Sequence, residues 1–533
     1  MQSYSLTVDK FLDHAAKWAG EREIVTADRG RSVRRVGYAA LRERANRLSG
    51  ALQSLGLGVG DRVATLAWNT QHHLETYYAV MGAGMVCHTL NPRLTAAQLA
   101  AMANEAEDRV LAASADLAPL AAEIVALCPG IEHVILMDDA SASLQPASSA
   151  ADVWGYEDLL HSRGEPAAWG GFDEETPAGL CYTSGTTGAP KGVVYTHRSN
   201  YLHTLRSLQA EAVALTRDDV LLVAVPMFHA NGWGLPFAAA AVGAKIVLPG
   251  RHTDGASLAR LMRDEGVTIG VGVQTVWLGV ADHLEAAGGE LPTLKRVLIG
   301  GSPCPEALLR RMEERLRCRV QTSWGMTELS PVGVIASPDA AGGSQASGRA
   351  PMGLDLKLTD ATGATLPEQR GVVGRLKVRG HSVVDRYLGA EADALDAEGF
   401  FDTGDLASID ETGAVTICGR VKDLIKSGGE WINPVEIEEI VGRDPAVGQV
   451  AVIGRADPKW GERPVLIVEA RKGRSIDPQG LLEALRGKVA SWWIPDEVVA
   501  IQAMPLAPTG KIDKNRLRAD YTAGTMVVAE LHG

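Results

Sequence analysis

A segment dense in glycine, hydroxyl and lysine side chains stands out in the first half of the chain. It reads Tyr182-Thr183-Ser184-Gly185-Thr186-Thr187-Gly188-Ala189-Pro190-Lys191-Gly192 and follows an apolar run, Ala178–Cys181. Glycines let the backbone approach a phosphate, hydroxyl and N–H groups donate to its oxygens, and Lys191 supplies positive charge. The order of a Walker A loop is absent, because Lys191 follows Pro190 rather than a glycine. The segment therefore predicts a phosphate-binding loop of another kind, with a flexible surface turn as the alternative.

Four later segments also combine glycine with polar and charged residues in short runs. They are Ser323-Trp324-Gly325-Met326-Thr327-Glu328, Phe401-Asp402-Thr403-Gly404-Asp405, Gly419-Arg420-Val421-Lys422-Asp423-Leu424-Ile425-Lys426-Ser427-Gly428-Gly429-Glu430 and Pro508-Thr509-Gly510-Lys511. With the first segment, they resemble in type and order the motifs of the acyl-adenylate-forming (AMP-binding) superfamily, which includes acyl-CoA synthetases, adenylation domains and luciferases. The resemblance spans Thr183 to Lys511. It implies an enzyme that activates a carboxylic acid with ATP through acyl-AMP and passes the acyl group to CoA.

The resemblance implies that most of these motifs bind ATP. The positions that match the family's nucleotide-binding residues are Thr183, Ser184, Gly185, Thr186, Thr187, Gly188, Lys191, Gly300, Gly301, Ser302, Ser323, Trp324, Gly325, Met326, Thr327, Asp405, Arg420, Lys426 and Lys511. Gly300 and Gly301 follow a predicted strand, where the family places adenine; a tight strand–helix turn is the alternative. Trp324 stands where tyrosine is commonest in the family, and we expect its indole to stack on adenine equally well.

Two carboxylates in these motifs suit the polar parts of Mg-ATP. Glu328 is the one charged residue in Gln321–Ile335, as a hard-cation ligand should be, and the resemblance adds Thr183 at the same Mg²⁺ ion. A carboxylate at a helix N-terminus is the alternative for Glu328. Asp405 follows Gly404 at the end of a polar turn, where it could accept both ribose hydroxyls or simply form an Asx turn.

The resemblance also implies the catalytic and moving parts. Lys511 matches the mobile lysine that holds the carboxylate against the α-phosphate. Three further catalytic positions are His229, Lys191 and Thr327. Lys422 matches the hinge at which the small domain turns. The turn would withdraw Lys511 and bring forward a CoA-guiding face around Lys426, formed by Ser427, Gly428, Gly429 and Glu430.

The acyl pocket is predicted to be neutral and apolar. In the family, the substrate is enclosed by segments that match Pro226–Phe237, Gln274–Val280, Gly300–Pro305 and Ser323–Val332. Apart from His229 and Glu328, these segments contain no Asp, Glu, Lys, Arg or His, and a charged tail would need a buried partner. The run Phe228–Gly234 resembles bacterial fatty acyl-CoA synthetases in which a tryptophan gates the acyl tunnel. Trp233 matches the gate, with Gly301 and Trp324 also bordering the substrate; Trp233 as an ordinary core residue is the alternative.

The resemblance leaves the substrate and the acceptor open. Medium- or long-chain fatty acids, 3-methylmercaptopropionate and aryl-alkanoates all fit the pocket argument. A carrier protein could replace CoA, as in acyl-AMP ligases. In a different class of function, the chain could be a catalytically dead nucleotide-binding regulator. The presence of Lys191, Glu328, Asp405, Arg420 and Lys511 disfavours that last hypothesis.

The pattern of strands and helices along the chain predicts two domains that carry these residues. Up to about Cys418, short β-branched runs such as His133–Met137 alternate with helical patterns, which predicts mostly parallel sheets in a large α/β domain. After it, Asn433 as an N-cap, two strands and a helix over Asp477–Ser491 predict a small mobile α+β domain, ending in an exposed tail at Pro505–Lys514. The predicted division is 1–419, a hinge at 420–422, and 423–533.

The composition of the chain limits the kinds of partner and metal site that we expect. The chain has 533 residues, 46% of them hydrophobic, and a formal net charge of −13, which disfavours binding to nucleic acid. Its six cysteines form no CxxC pair, so we expect neither a disulfide framework nor a zinc site. No signal peptide or membrane-spanning run is evident. We therefore expect a cytoplasmic enzyme, and the resemblance implies a homodimer.

Overall fold

The computed structural model of the protein describes residues 2, 4–138, 151–183, 190–301, 304–339, 346–471, 473–507 and 511–526. Its strands are β1 (Glu23–Asp28), β2 (Arg31–Gly37), β3 (Arg62–Leu66), β4 (Val86–Thr89), β5 (Asp108–Ser114), β6 (His133–Met137), β7 (Asp152–Gly155), β8 (Pro177–Thr183), β9 (Lys191–Thr196), β10 (Val220–Val223), β11 (Lys245–Leu248), β12 (Ile269–Val273), β13 (Arg296–Gly300), β14 (Arg319–Gly325), β15 (Val332–Ile335), β16 (Leu354–Thr359), β17 (Val373–Gly380), β18 (Phe401–Ile409), β19 (Val415–Arg420), β20 (Ile425–Ser427), β21 (Glu430–Ile432), β22 (Val447–Asp457), β23 (Gly461–Ala470) and β24 (Glu497–Ile501).

The α-helices lie between these strands, mostly on the faces of the sheets. They are α1 (Asp9–Trp18), α2 (Tyr38–Ser54), α3 (Gln71–Gly82), α4 (Ala96–Glu105), α5 (Ala118–Ala126), α6 (Tyr156–Arg163), α7 (His197–Ser207), α8 (Leu235–Val242), α9 (Gly255–Glu265), α10 (Gln274–Ala287), α11 (Glu306–Leu316), α12 (Pro434–Val441), α13 (Pro478–Leu485) and α14 (Lys514–Thr522). Within the described ranges, none is long and apolar enough to cross a membrane.

Two large sheets dominate the first 335 residues. One has the order β7-β6-β5-β3-β4-β8-β9 and is parallel except for β9, which pairs antiparallel with β8. The other has the order β15-β14-β13-β12-β10-β11-β1-β2, with antiparallel strands only at its two edges. The prediction of mostly parallel sheets is confirmed, and β6 has the predicted bounds. The central strands are apolar on both faces, as strands covered by helices must be.

Two smaller sheets complete the molecule. The sheet β16-β17-β18-β19 is antiparallel throughout. The last sheet, β21-β20-β23-β22 with β24 beside β23, carries its own apolar core of valine, isoleucine and leucine side chains. No strand pair joins β16–β19 to β20–β24 in the part of the chain that the structure describes. This small unit is therefore connected to the rest through the chain near Arg420 and through side-chain contacts.

One helix end was predicted correctly and another was not. The Asn433 side chain accepts a hydrogen bond from the Val435 N–H at the start of α12, as an N-cap does. The predicted helix over Asp477–Ser491 is wrong at its end, because α13 stops at Leu485. Gly487 has a φ of +70°, in the left-handed region, and a turn follows. Glycine adopts that conformation easily, so the chain leaves the helix there despite its helical pattern.

Candidate functional site

The two strands that flank the glycine-rich segment, β8 and β9, pair at the edge of the seven-stranded sheet. Thr183 ends β8 and lies opposite Lys191, the first residue of β9, in the antiparallel register. The predicted phosphate contacts at Ser184, Gly185, Thr186, Thr187 and Gly188 lie outside the described residues. The Lys191 ammonium lies 4.9 Å from the centre of the Tyr387 ring, a cation–π arrangement. The hairpin base thus presents a positive charge toward the segment that contains Tyr387.

Glu328 is a buried carboxylate on a short turn of 3₁₀-helix, Thr327–Leu329. The Tyr387 hydroxyl donates to its Oε1 at 2.9 Å, and the Val384 N–H donates to its carbonyl oxygen at 2.8 Å. Burial raises the pKa of Glu328, while Tyr387, Arg420 and Lys191 act in the opposite direction. Among the described residues, it forms no ion pair. A buried carboxylate that lacks a cationic partner is a suitable ligand for a divalent cation.

The Phe401–Asp405 motif begins β18 and holds Asp405 in a buried position. Asp405 on β18 is in register with Arg420 on β19, whose Nε lies 2.9 Å from Oδ1. The Trp324 indole N–H donates to Oδ2 at 2.8 Å. Burial raises the pKa of this carboxyl, and Arg420 and Trp324 counteract the rise. The Asx turn in this motif is formed by Asp402 instead, whose Oδ1 accepts from the Gly404 N–H at 2.9 Å.

Hydrogen bonds to neighbouring segments hold the remaining residues of the Ser323–Glu328 motif. The Ser323 hydroxyl donates to the Ile299 carbonyl at 2.9 Å, which ties β14 to the end of β13. The Tyr195 hydroxyl donates to the Thr327 carbonyl at 2.8 Å. Gly325 and Met326 continue the strand into the turn, and the Met326 N–H donates to the Pro331 carbonyl at 3.0 Å. The backbone of this motif is therefore held from several sides.

Lys511 reaches the end of β13. Gly301 has a φ of +96°, and a Cβ atom there would lie 3.1 Å from the Lys511 Cε. Burial, and then the neighbouring Arg420, lower the pKa of Lys511 to about 8, although Asp405 and Glu328 act in the opposite direction. The expectation of an exposed tail around Lys511 is wrong at this residue, since its side chain lies in the cleft. Ser302 and the preceding Pro508–Gly510 lie outside the described residues.

An apolar pocket opens beside Lys511 and Gly301. It is lined by Asn91, Val225, Pro226, Phe228, His229, Trp233, Val273, Gly301 and Lys511. Burial and the Lys511 charge lower the pKa of His229 to about 4, so its imidazole is neutral at physiological pH. Most of the remaining lining is hydrophobic.

Trp233 lies on an unusual left-handed turn. The φ angles of Ala230, Asn231, Gly232, Trp233 and Gly234 are all positive, between 45° and 71°. The indole packs over Gly300, where a Cβ atom would lie 3.0 Å from the ring. A side chain at Gly300 would therefore displace the indole or the strand end.

The structure does not bring every predicted residue to the cleft. Lys422 lies on a short 3₁₀ turn, beside Asp423, which pairs with Arg518 at 2.7 Å. Lys426 is exposed, and its ammonium lies 5.5 Å over the Trp431 ring. The predicted CoA-guiding residues Gly428, Gly429 and Glu430 are also exposed, while Ser427 is buried. The residues from Lys426 to Glu430 lie on the hairpin β20–β21 of the small unit, whereas Lys422 precedes this hairpin in the chain.

Some site residues were missed by sequence reasoning. Tyr387 contacts both Lys191 and Glu328 but belongs to no recognisable motif. Asn91 lines the pocket just after β4, and a polar residue after a buried parallel strand is a signal that could have found it. The predicted wall Gln274–Val280 contributes none of the lining residues that the structure describes. Instead, Trp277 is fully buried against Gly270, in a different apolar core from the one that contains Trp233.

Comparison with protein families accounts for most of the chain. Residues 11–388 match the model of the AMP-binding enzyme family, and residues 436–511 match that of the AMP-binding enzyme C-terminal domain. A medium-chain-fatty-acid–CoA ligase of Ectopseudomonas oleovorans is 42% identical, covering 98% of this chain and 97% of its own. A 3-methylmercaptopropionyl-CoA ligase of Ruegeria lacuscaerulensis is 40% identical, covering 98% of both chains. A long-chain-fatty-acid–CoA ligase of Thermus thermophilus is 41% identical, covering 98% and 96%.

Solved structures share the architecture. The anthranilate CoA ligase AuaEII in complex with anthranoyl-AMP has a TM-score of 0.87 at 22% identity, covering 98% of both chains, and shows the fold alone. ATP-bound MatB from Rhodopseudomonas palustris has a TM-score of 0.84 at 27% identity, covering 98% of this chain and all of its own. The apo form of the same enzyme, with the same coverage and identity, has a TM-score of 0.75.

Proposed function

The chain belongs to the family of AMP-binding enzymes, and on that premise we propose how its cleft activates a carboxylic acid. Its activity is that of an AMP-forming acyl-CoA ligase, which its relatives at about 40% identity share over nearly the whole chain. The observation that carries the proposal is the position of Lys511 at the strand end Gly301, beside an apolar pocket and near Asp405 and Glu328. One cation therefore faces both the acyl site and the nucleotide site.

ATP would occupy the cleft between the hairpin base and Asp405. Lys191, Thr183 and the segment Ser184–Gly188 would hold the phosphates. Asp405 would accept the ribose hydroxyls, with Arg420 holding its carboxylate in place. Adenine would lie at Gly300–Ser302 beside the Ser323–Thr327 motif and Trp324. The geometry on which this rests is the convergence of β9, β13, β14 and β18 at one end of the cleft.

Glu328, with Thr183, would hold the magnesium ion of Mg-ATP. The fit rests on the buried carboxylate, whose Oε1 is oriented by Tyr387 and which pairs with no cation in the described chain. The ion, when bound, supplies positive charge that neutralises the triphosphate. The side chain of Tyr387 orients the carboxylate and at the same time faces the Lys191 ammonium.

In the first step, a carboxylate oxygen of the substrate attacks the α-phosphorus. The bond to the pyrophosphate oxygen breaks, and acyl-AMP and pyrophosphate form. Negative charge accumulates on the equatorial oxygens of the transferred group, so positioning and electrostatic stabilisation dominate catalysis. Protonated Lys511 would contact both reactants, and neutral His229 would border the carboxylate without adding a competing charge. Lys191 and Thr327 would assist at the phosphates.

In the second step, the small domain would turn about Lys422. This turn would withdraw Lys511 and bring Lys426 and the hairpin residues Ser427–Glu430 to the cleft, where they would guide the pantetheine arm. The CoA thiolate would attack the acyl carbonyl, and the bond to AMP would break. The exposure of this hairpin and the greater similarity to ATP-bound than to apo MatB support the assignment of the present arrangement to the first step.

The substrate would be an acid with an apolar tail, of the fatty-acid type. The pocket is lined by Val225, Phe228, Trp233 and Val273, with Asn91 as a further neutral polar residue. A 3-methylmercaptopropionate ligase is the second candidate, because relatives of that activity are as similar as the fatty-acid ligases. Ligases for aryl-alkanoates, or an acyl-AMP ligase serving a carrier protein, are further alternatives.

The test is the release of pyrophosphate and the formation of acyl-CoA with a panel of acids. The panel contains straight-chain acids of increasing length, 3-methylmercaptopropionate, aryl-alkanoates and a dicarboxylate as the charged control. We expect turnover with free CoA, the highest kcat/KM for an uncharged tail, and none for the dicarboxylate. Acyl-AMP formation without transfer to CoA would favour a carrier-protein acceptor. Absence of acyl-AMP with every acid would overturn the proposal in favour of a non-catalytic nucleotide-binding regulator.

We also propose that the enzyme works in the cytoplasm as a homodimer. The support is the resemblance to bacterial fatty-acid enzymes and, among the described cysteines, the absence of a disulfide. Light scattering with size-exclusion chromatography would measure the oligomeric state, and a stable monomer at micromolar concentration would contradict the proposal.

A further inference from the structure

Helix α7 contains a buried arginine that forms no ion pair within the described part of the chain. Arg206 is 3% exposed. Its Nη1 donates to the Ser382 hydroxyl at 2.8 Å, and its Nη2 donates to the Val332 carbonyl at 2.5 Å. A buried cation is costly unless its hydrogen bonds are made. An apolar side chain would avoid that cost. The role of the guanidinium therefore lies in the segments to which it hydrogen-bonds.

The two acceptors of Arg206 lie on either side of the turn that carries Glu328. Val332 follows this turn in the sequence, and the Pro331 carbonyl just before it accepts from the Met326 N–H. On the other side, the Ser382 carbonyl accepts from the Ser330 hydroxyl at 3.0 Å. Two residues further along, the Val384 N–H donates to the Glu328 carbonyl. The guanidinium thus bridges two segments that both hydrogen-bond to the Met326–Ser330 turn.

A second residue of the same helix holds the same strand end. The Val332 N–H donates to the His203 Nε2 at 3.1 Å, so both backbone groups of Val332 are bound by side chains one helical turn apart. His203 is fully buried, and burial lowers its pKa well below the usual value, which keeps Nε2 free to accept. Its ring also lies close to the left-handed turn Ala230–Gly234, since a Cβ atom at Gly234 would lie 2.9 Å from Nδ1.

Helix α7 directly follows β9, the strand that begins at Lys191. β9 begins at Lys191 and ends at Thr196, whose side chain caps α7 by accepting from the Ser199 N–H. A continuous strand–helix unit therefore connects Lys191 to Arg206. Its far end binds Val332 and Ser382, the two segments that hydrogen-bond to the Glu328 turn. At its near end, the Lys191 ammonium lies over the Tyr387 ring and acts electrostatically on Glu328.

We propose that Arg206, supported by His203, is a positioning residue that sets the distance between the phosphate-binding lysine and the Glu328 carboxylate. The inference rests on the proposed function, in which these two groups bind opposite sides of Mg-ATP. In this role, a side chain outside the cleft keeps the Lys191 strand and the Glu328 turn at a fixed separation. Without the guanidinium, the Glu328 turn would remain folded but would vary in position.

The experiment compares Arg206→Met with wild type by calorimetric titration of a non-hydrolysable ATP analogue, with and without Mg²⁺. We expect the magnesium-dependent part of the affinity to fall about tenfold or more, while magnesium-free binding changes less than twofold. In pyrophosphate exchange, KM for Mg-ATP should rise, whereas thioesterification of supplied acyl-AMP should stay within twofold. A lower Tm with unchanged magnesium-dependent affinity would overturn the proposal, because it would make Arg206 a purely structural residue.

Two controls and a double-mutant cycle separate positioning from general damage. Arg296→Met removes another partly buried guanidinium, which donates to the Ala214 carbonyl at the far end of β13, and Leu205→Ala changes an exposed neighbour on α7. Both should leave magnesium-dependent binding unchanged. Arg206→Met added to Glu328→Gln should weaken binding less than threefold further, because the two residues act as a unit. Full additivity would overturn the proposal.

If Arg206→Met does not fold, Ser382→Ala decides the question, because it removes one acceptor with little change in volume. A threefold or larger loss of magnesium-dependent affinity supports the proposal, and no change overturns it. The binding titration also keeps the two hypotheses apart. A wild-type protein that binds Mg-ATP but adenylates no acid would contradict the proposed function, whereas the effect of Arg206→Met on binding would still test the positioning role.

Discussion

The nucleotide side of the cleft and the Lys511 loop of the small domain place charged side chains close together, but the two regions hold those side chains differently. On the nucleotide side, Asp405 is fixed by strand register, by Arg420 and by the Trp324 indole. Lys511 belongs to a loop whose described ends are held by backbone hydrogen bonds, from the Ala507 N–H to the Lys511 carbonyl and from the Asp513 N–H to the Pro505 carbonyl. In the proposed mechanism, the first region is the fixed binding site and the second brings one positive charge to it. A two-step reaction of this kind needs only that one group to be removable.

Lys511→Ala tests the difference between the two regions most directly. Loss of the Lys511 ammonium should reduce acyl-AMP formation by about 10²–10³-fold, the cost of removing one donor from a transition-state site. Thioesterification of supplied acyl-AMP should change less than about threefold. Pyrophosphate exchange and acyl-CoA formation measure the two steps separately. Equal loss in both would contradict the assignment of Lys511 to the first step.

The pH dependence of the two steps should differ in the same way. The pKa of Lys511 is lowered to about 8, and in the proposed mechanism its protonated form is the active one. Acyl-AMP formation should therefore fall as pH rises above 8, by about tenfold per unit, with about 100-fold lost by pH 10. Thioesterification of supplied acyl-AMP should lack this particular loss. In Lys511→Arg, any remaining first-step activity should persist to higher pH, since arginine keeps its charge.

On the nucleotide side, Asp405→Asn should raise KM by about 100-fold, both for ATP in acyl-AMP formation and for supplied acyl-AMP in thioesterification. The amide keeps the shape but accepts fewer hydrogen bonds and no longer pairs with Arg420. Asp402→Asn, in the exposed Asx turn three residues earlier, is the matched control and should stay within twofold. Equal effects of the two substitutions would indicate that the turn, rather than the buried carboxylate, matters.

The smallest expected effect concerns Tyr387. Tyr387→Phe removes the hydroxyl that donates to Glu328 but keeps the ring that faces Lys191. One hydrogen bond to a charged group corresponds to roughly 1.5–3 kcal/mol, partly recovered by solvent at this half-buried site, so KM for Mg-ATP should rise about 5–10-fold. Titration of the ATP analogue measures it. An unchanged affinity would show that Glu328 is oriented by its backbone alone.

Much of this site could be predicted from the order of motifs along the chain. Glycine, hydroxyl and acidic residues follow apolar strands, and β6 and the Asn433 cap could be read from local pattern alone. Tyr387 and Arg206 could not, because their partners lie 59 and 126 or more residues away and their neighbours form no pattern. The end of α13 was missed because Gly487 overrides a helical pattern that continues beyond it. The burial of Trp277 in a different core from Trp233 could not be predicted either, because sequence does not tell which face of β12 a following helix covers.

The absence of a shared strand ladder between β16–β19 and β20–β24, within the described chain, also bears on how the protein denatures. Cooperativity spreads through packed cores and continuous hydrogen-bonded sheets, and here each unit has its own. Heating should therefore melt the smaller unit in a separate calorimetric transition while the large sheets stay folded. A tightly bound acyl-adenylate would merge the two thermal transitions, because it would contact Lys511 of the small unit and the large sheets at once.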